Sequence, residues 1–315
     1  MMTPIVLDGM HGLGDNVHQR AVVRRLIAAG HQVWLRTPWP CIYHDFDDRL
    51  RLLERGYTLR TQAKNAKRER DAYTREAPPR TARAMRVWYD YNSIRMTGSL
   101  IGGMMRTTFG RPIDIADADF TLPVPTEWRY KAAAFLGRPT RPVMVVRPLV
   151  ERKEWGGCAR RNPDHKAYAT LYNAIRDRFF VVSIADLVPG VEEIVGPKLD
   201  VDVAYHAGEL DTEAVAGLMS LAALTFCSPG FAIVLSQAIG TPVVCVFGGH
   251  ESSRFYSHGT RFAPTLGIDP IRPCECFSRV HQCDKRIDID AAHARIAAFV
   301  ESHCGIASDL PKIVA

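Results

Sequence analysis

Apolar residues in the first forty positions alternate between short runs typical of strands and a longer stretch with helical spacing. The runs TPIVLD and GHQVWLRTP are joined by NVHQRAVVRRLIAAG, in which one helical face carries Val17, Ala21, Val22, Leu26 and Ile27. Two short apolar runs separated by an amphipathic helix are typical of a β-α-β unit with parallel strands. The chain is therefore predicted to begin with a parallel sheet covered by helices.

The same alternation restarts in the second half of the chain. Its predicted strands are VMVVRP, FFVVSIA, LTFCS and TPVVCVFGG, and its predicted helices are HKAYATLYNAIRD, TEAVAGLMSLAA and GFAIVLSQAIG. A proline-rich stretch between the two groups indicates an interdomain connection, and 315 residues exceed what one core usually supports. We predict an α/β protein with Rossmann-like domains at 1–125 and 142–315 and a linker at 126–141.

Composition places the chain among ordinary globular proteins, with 47% hydrophobic and 23% charged residues. No apolar run reaches the ~18 residues of a membrane span, and the first residues lack the pattern of a secretion signal. We therefore expect a cytoplasmic protein with no transmembrane segment and with reduced cysteines. Its oligomeric state is not predictable from these features.

Positive charge concentrates between Arg49 and Arg86, where 12 Lys or Arg residues stand against 4 Asp or Glu residues. This basic segment is predicted to be an insertion over about 49–95 in the N-terminal domain. It is either a solvated surface or an anion-binding surface, on which cations follow phosphates and aromatic rings stack on bases. On the second interpretation the acceptor-binding candidates are Lys64, Lys67, Arg68, Trp88 and Tyr89.

The stretch GMHGLGDNVHQRAVVRRL follows the first predicted strand and has part of the pattern of a dinucleotide-binding loop. Gly12 and Gly14 supply G-x-G, but Val17 stands where the third glycine should be. The second predicted strand ends in Arg36 rather than in an acid that would bind ribose. These departures disfavour NAD binding, and the loop's Asp15 needs another explanation.

Three stretches, in order, resemble motifs of glycosyltransferase family 9, the heptosyltransferase type. They are HGLGDNVHQRAVVRRL, then RPLVERKEWGG with Lys153 and Trp155 at the family's K-x-W, then LTFCSPGFAIVLSQAIGTPVVCVFGG. The resemblance implies the GT-B fold, in which two Rossmann-like domains have parallel sheets that face each other across a cleft. It also implies transfer of a sugar, with inversion and without a catalytic cofactor, from a UDP-, ADP- or GDP-sugar to a hydroxyl group.

The resemblance assigns the general base to Asp15, and we predict that Gly12, Gly14 and Asn16 of the same loop bind the acceptor. A carboxylate within hydrogen-bond reach of an alcohol can accept its proton as the alcohol attacks. The alternative is that Asp15 only caps the following helix, because Asp is a favoured N-cap residue.

The third motif departs from the family pattern D-[ST]-G-x-x-H, because its acid and its His are replaced by Ser228 and Ile233. Gly230 still begins a predicted helix, whose N–H groups could hold a diphosphate. Lys153, supported by Arg147 or Arg152, would neutralise the leaving diphosphate from the end of the first predicted strand of the second domain. Asp186 would hold the ribose, and Leu210 would pack on the donor base or lie in the core. The predicted donor-binding residues are Arg147, Arg152, Lys153, Asp186, Leu210, Ser228, Pro229, Gly230 and Phe231.

Four potential metal ligands lie close together in PCECFSRVHQCDK, namely Cys274, Cys276, His281 and Cys283. Thiolates and imidazole are good Zn²⁺ ligands, so the cluster is a candidate structural zinc site. The usual C-x-x-C spacing is missing, however, and free thiols are the alternative.

The identity of the acceptor stays open at this point. A saccharide of the lipopolysaccharide type follows from the resemblance, whereas a hydroxylated DNA base would explain the basic segment. A hypothesis of another class is a non-catalytic protein that binds a nucleotide or nucleic acid on a GT-B scaffold.

Overall fold

The computed structural model describes residues 4–152, 161–278 and 281–305. The chain divides into two compact units, unit 1 over Met1–Pro123 and unit 2 over Val124–Ala315. Lys153 and Trp155, which belong to the second predicted motif, lie outside the described residues.

Unit 1 is built on a parallel sheet that begins with the predicted β-α-β unit. Among the described residues the strand order is β3-β2-β1-β4. The strands are β1 (Pro4–Asp8), β2 (Gln32–Arg36), β3 (Leu50–Leu53) and β4 (Arg83–Arg86). At the last rung Asp8 pairs with Arg36 on one side and with Arg86 on the other. Charged side chains therefore gather at the carboxyl edge of this sheet.

Helices lie between or after these strands, and the first matches its prediction closely. They are α1 (Leu13–Ala28), α2 (Arg60–Arg68), α3 (Tyr91–Thr97) and α4 (Leu100–Phe109). Helix α1 is followed by Gly30 at φ 84°, a conformation that favours glycine. The basic segment is not a simple insertion, because β3 and β4 within it complete both edges of the sheet. Edge strands with exposed, charged side chains lack the apolar runs that predict a strand.

Unit 2 contains a larger parallel sheet whose central strands are buried on both faces. Among the described residues its order is β12-β11-β10-β5-β7-β9, and β6 and β8 form a separate antiparallel pair. The strands are β5 (Val143–Val146), β6 (Val150–Arg152), β7 (Phe180–Ile184), β8 (Glu192–Ile194), β9 (Val203–Tyr205), β10 (Leu224–Cys227), β11 (Val243–Val246) and β12 (Thr265–Ile268). The predicted strands of this half are confirmed as β5, β7, β10 and β11.

The helices of unit 2 are α5 (Thr126–Leu136), α6 (His165–Arg176), α7 (Thr212–Leu221), α8 (Phe231–Ile239) and α9 (Ile289–Cys304). Residues 126–136 form α5 instead of the predicted linker. A Cβ at Gly217 of α7 would lie 2.1 Å from the Trp128 carbonyl oxygen, so α5 and α7 pack at backbone contact. The prolines that suggested a linker stand just outside the helix, where they do not interrupt it.

Aromatic and aliphatic side chains fill the core beneath this sheet. Tyr168 and Tyr172 of α6 contact Phe226 edge-on, with ring centroids 5.0 Å from Phe226 for Tyr168 and 5.9 Å for Tyr172.

Across the described ranges, no helix is both long enough and apolar enough to cross a bilayer.

Candidate functional site

The loop after β1 is held by a buried asparagine. The amide of Asn16 donates to the carbonyls of Met10 at 2.7 Å and Gly12 at 2.8 Å. Its oxygen accepts from the Thr37 hydroxyl at 2.8 Å. The Asn16 side chain is fully buried, and its amide and its oxygen both bond to the protein. Asn16 therefore fixes the loop, which differs from its predicted role as an acceptor-binding residue.

Asp15 lies in the first turn of α1 rather than at its N-cap. The helix begins at Leu13, and Gly12 is the N-cap residue without a side-chain hydrogen bond. A Cβ at Gly12 would lie 2.5 Å from Oδ2 of Asp15, so a larger residue there would displace this carboxylate from its position. The interpretation of Asp15 as the capping residue is therefore wrong, and the carboxylate is stabilised by the positive end of α1.

Tyr89 brings a second predicted residue to this carboxylate. Its hydroxyl donates to Oδ1 of Asp15 at 2.7 Å. The backbone around Tyr89 is fixed, since the Val87 N–H donates to the Asp8 carbonyl at 2.9 Å and Asp90 caps α3. The structure thus unites Asp15 and Tyr89, which are 74 positions apart in sequence.

A cluster of arginines that the sequence analysis missed stands at the same edge of the sheet. Arg55 forms an ion pair with Asp8, and its Nε donates to Nε2 of His11 at 3.0 Å. Burial, followed by the charge of Arg55, lowers the pKa of His11, and Arg86 acts in the same direction. The sequence feature that could have indicated this cluster is position, because Arg36, Arg55 and Arg86 each stand at or just after the end of a strand.

Helix α2 of the basic segment is attached to this edge through polar side chains. The amide of Gln62 donates to the His11 carbonyl at 3.0 Å, and that of Asn65 donates to the Pro38 carbonyl at 2.9 Å. Among the predicted acceptor residues, Lys67, Arg68 and Trp88 are exposed, whereas Lys64 is half-buried. The basic segment therefore presents cations from a fixed helix, which fits either interpretation of it.

In unit 2, Arg147 follows β5 at the carboxyl edge of the sheet. Its guanidinium lies 5.0 Å from the centre of the Phe231 ring. In the part of the chain that the structure describes, no carboxylate forms an ion pair with it. Burial, followed by the charge of Arg152, lowers the pKa of Arg147 to about 10, so the group remains a cation at neutral pH.

The turn from Ser228 to Phe231 lies beside this guanidinium, because Phe231 is the first residue of α8. Gly230 is the N-cap, and no atom lies within 4 Å of the position that a Cβ would take there. The N–H groups of the first turn of α8 thus begin next to open space and next to a cation. Both features favour an anionic ligand.

Arg152 has a different role from the predicted one. Its Nε lies 2.8 Å from Oε1 of Glu192, and both side chains are nearly or fully buried. The two residues face each other across the β6–β8 pair. Because this carboxylate neutralises the guanidinium, Arg152 holds the ribbon together and is not a free cation for a leaving diphosphate.

Asp186 and Leu210 follow β7 and β9 at the same edge as Arg147. Asp186 pairs with Ala207 in an isolated bridge, and Leu210 is half-buried ahead of α7. Between them stands His206, which the sequence analysis missed and whose Nε2 lies 2.8 Å from the Ser183 hydroxyl. Burial is the largest cause that lowers the pKa of His206, and Arg147 contributes.

The predicted metal ligands come together in space. The ligand atoms of Cys274, Cys276, His281 and Cys283 all lie within 4.8 Å of one another. That spread suits a tetrahedral centre, in which bonds of about 2.0–2.3 Å leave the ligand atoms roughly 3.5–4 Å apart. The donor set of three thiols and one imidazole is one that Zn²⁺ or iron accepts.

The backbone of this cluster has an unusual conformation. Glu275 and Phe277, which alternate with the two first cysteines, have φ values of 46° and 50°. Residues other than glycine adopt this region at a cost, and they persist in it where the surroundings enforce it. The Ser278 N–H donates to the Cys276 sulfur at 3.4 Å, which also favours a thiolate. The residues therefore fit a bound metal.

Comparison with known proteins gives matches among solved structures. No protein-family model matches the chain, and no curated protein matches it. The Escherichia coli ADP-heptose LPS heptosyltransferase II aligns with a TM-score of 0.58 at 15% identity, over 96% of this chain and 99% of that one. A glycosyl transferase family 9 protein from Veillonella parvula aligns at 0.56 and 13% identity, over 96% and 97%. The iron-containing dodecameric glycosyltransferase TibC from enterotoxigenic E. coli aligns at 0.57 and 12% identity, over 96% and 76%.

Identities this low establish similarity of fold rather than of activity. The alignments cover nearly all of this chain, and they reach the same family that the three sequence motifs resemble. The chain therefore has the GT-B fold of these glycosyltransferases, as its resemblance to glycosyltransferase family 9 implies.

Proposed function

We propose that this protein is a glycosyltransferase that moves a sugar from a nucleoside diphosphate to an acceptor hydroxyl with inversion. Unit 2 binds the donor, and Asp15 of unit 1 is the general base. The proposal is supported by the fold and by the chemistry available at the carboxyl edge of each sheet.

The observation that carries the proposal is the state of Arg147. A partly buried guanidinium without a carboxylate partner among the described residues is costly, and the lowered pKa of Arg147 expresses that cost. An anion beside it would remove the penalty, and the N-terminus of α8 favours the same charge. A diphosphate that spans Arg147 and the Ser228–Phe231 turn satisfies both features.

Asp15 suits the other half of the reaction. The acceptor oxygen forms a bond to the anomeric carbon as the bond from that carbon to the diphosphate oxygen breaks. The hydroxyl proton passes to the Asp15 carboxylate, and the electron pair of the broken bond leaves with the diphosphate. Tyr89 keeps one carboxylate oxygen hydrogen-bonded, which limits the rotation of the side chain.

Similar structures suggest which nucleotide to test first. One is an ADP-heptose heptosyltransferase, and TibC has been crystallised with ADP-D-β-D-heptose. We therefore place ADP-sugars ahead of UDP- and GDP-sugars as donors. Asp186 and Leu210 are proposed to contact the nucleoside, because they follow neighbouring strands at the edge that carries Arg147.

We also propose a structural metal at Cys274, Cys276, His281 and Cys283. Zinc suits this donor set, and TibC, which is iron-containing, makes iron the second candidate. The metal would secure a loop that bonds to the segment after β11, since the Glu275 N–H donates to the Gly249 carbonyl at 2.8 Å. No step of sugar transfer is assigned to it.

The acceptor is proposed to be a saccharide hydroxyl, with a hydroxylated DNA base as the alternative. The exposed cations of α2 support an anionic acceptor of either kind. The two acceptors differ in the number of phosphates they present, and therefore in how strongly salt weakens their binding.

The test is mass spectrometry of products after incubation with ADP-, UDP- and GDP-sugars and candidate acceptors, with Asp15→Asn as the matched variant. We expect a product heavier by one glycosyl residue from the parent protein and almost none from the variant. Binding of a nucleotide without any product would support the non-catalytic alternative instead.

A further inference from the structure

Three arginines converge on the carboxyl edge of the unit 1 sheet, and we call Arg36, Arg55 and Arg86 the strand-end arginine site. Asp8 pairs in register with Arg36 of β2 and with Arg86 of β4. Residues in register on parallel strands project to the same face, so both arginines flank the Asp8 carboxylate. Arg55 reaches the same point from the loop after β3 and forms an ion pair with Asp8.

The charges at this point do not balance. One carboxylate faces three guanidinium groups, and Arg55 is the one that bonds to it. Arg36 and Arg86 are exposed and form no ion pair with any residue that the structure describes. Their repulsion, after burial, is among the causes that lower the pKa of Arg55. The local field therefore favours a further anion.

His11 lies beside these arginines and bonds to one of them. Its Nε2 accepts from Arg55, which places the proton of the neutral ring on Nδ1. Within the described ranges Nδ1 is buried and has no hydrogen-bond partner. The ring is held in place because the Trp39 indole N–H donates to the His11 carbonyl at 2.8 Å. Hydrogen bonding is therefore incomplete at His11, next to cations without ion pairs among the described residues.

The position of this surface relates it to Asp15. Arg86 stands three residues before Tyr89, whose hydroxyl contacts the Asp15 carboxylate. Three residues span at most about 10 Å between Cα atoms, so Arg86 belongs to the same short segment as the tyrosine that contacts the base.

We propose that the strand-end arginine site, together with His11, binds a phosphate or carboxylate group. This inference rests on the proposed function in one respect, namely that the group is a substituent of the acceptor. Planar guanidinium groups bind such oxyanions through paired N–H bonds, which would orient the acceptor as well as attract it.

The test is isothermal titration with sodium phosphate, glucose 6-phosphate and glucose. Each ligand is added to the parent protein and to the double variant Arg36→Gln/Arg86→Gln, and each titration is repeated with Arg147→Gln to remove phosphate binding in unit 2. The matched control is Arg80→Gln/Arg83→Gln, which removes the same charge from exposed arginines in and just before β4.

We expect both phosphates to bind the parent and to bind the Arg36→Gln/Arg86→Gln variant at least about 10-fold more weakly, because charge-assisted hydrogen bonds are lost. The control should stay within about twofold of the parent, and glucose should not bind. Unchanged phosphate binding by the Arg36→Gln/Arg86→Gln variant would overturn the site.

Glucose 6-phosphate should bind the parent more tightly than inorganic phosphate if the group is part of an acceptor. Equal affinities would overturn that assignment and leave a site for free phosphate. Phosphate binding does not involve Asp15, so the two proposals can fail separately. If the Arg36→Gln/Arg86→Gln substitutions weaken phosphate binding while the parent transfers no sugar, the arginine site stands and only the proposed function is contradicted.

Discussion

The carboxyl edges of the two sheets differ in which charged groups have partners. In unit 1 the acidic groups are held by partners, since Asp15 accepts from Tyr89 and Asp8 bonds to Arg55. In unit 2 the cation Arg147 faces an aromatic ring and the N-terminus of a helix, without a carboxylate partner among the described residues. The first edge therefore combines a fixed carboxylate with the arginines around Asp8, and the second combines a cation with the N-terminus of a helix.

Removing the base should give the largest effect on this comparison. Asp15→Asn keeps the shape of the side chain but cannot accept the acceptor proton. We expect the transfer rate to fall about 10²–10⁴-fold with the affinity for the donor unchanged. Single-turnover kinetics with a saturating donor measure the rate, and activity within threefold of the parent would remove Asp15 from the mechanism.

Removing the cation should have the complementary effect in unit 2. Arg147→Gln deletes the charge beside α8, and we expect donor binding to weaken about 10–100-fold because a charge-assisted contact with phosphate is lost. The control is Arg138→Gln, which removes an exposed arginine of the same unit. Equal weakening by the two variants would indicate an effect of net charge rather than of this contact.

Removing the hydrogen bond that holds the Asp15 carboxylate should lower the transfer rate less than removing the carboxylate itself. Tyr89→Phe deletes one hydrogen bond to Asp15, and we expect kcat to fall about 10-fold while the donor KM stays constant. Tyr130→Phe, at an exposed tyrosine of unit 2, should leave both constants unchanged. A rise in the donor KM in place of the fall in kcat would assign Tyr89 to binding.

Metal removal tests a part of unit 2 that the charge comparison does not involve. If Cys276 is a ligand, Cys276→Ser should lower the metal content measured by elemental analysis and reduce Tm by about 5 °C or more, because loss of a structural metal destabilises the fold. Cys304→Ser, at a half-buried cysteine outside the cluster, should keep the metal. Purified protein without stoichiometric zinc or iron would favour free thiols.

Substitutions in the basic segment should have the smallest effect on sugar transfer, and their effect on acceptor binding should depend most on salt. If the acceptor is DNA, the protein should retain labelled duplex or single-stranded DNA at low salt, and retention should fall steeply as salt rises. Substitution of Lys64, Lys67, Arg68 and Arg70 by Ala should reduce retention without an effect on donor binding. No retention even at low salt would leave the saccharide as the acceptor.

Secondary structure could be predicted from the sequence where the local pattern of apolar residues determines it. The β-α-β start and the strands β5, β7, β10 and β11 were predictable, because buried parallel strands are continuous apolar runs. Edge strands such as β3 and β4 carry charged residues, and α5 is flanked by prolines, so their patterns were misleading. These elements depend on what they pack against rather than on their own composition.

The site was less predictable for the same reason. Asp15 and Arg147 follow strands, and their positions could be predicted from the order of elements. The ion pair between Arg152 and Glu192 depends on the register of two short strands whose paired residues are 40 positions apart. The burial of Asn16 depends on Thr37 of the next strand's end. Such partners appear only when tertiary contacts are known.

Titration of the nucleoside diphosphates ADP, UDP and GDP into three proteins tests the central division of roles most directly. We expect at least one of them to bind the parent and Asp15→Asn with equal affinity, and to bind Arg147→Gln at least about 10-fold more weakly. Parent-like binding by Arg147→Gln, or loss of binding in Asp15→Asn, would contradict the assignment of the donor to unit 2 and of the base to unit 1.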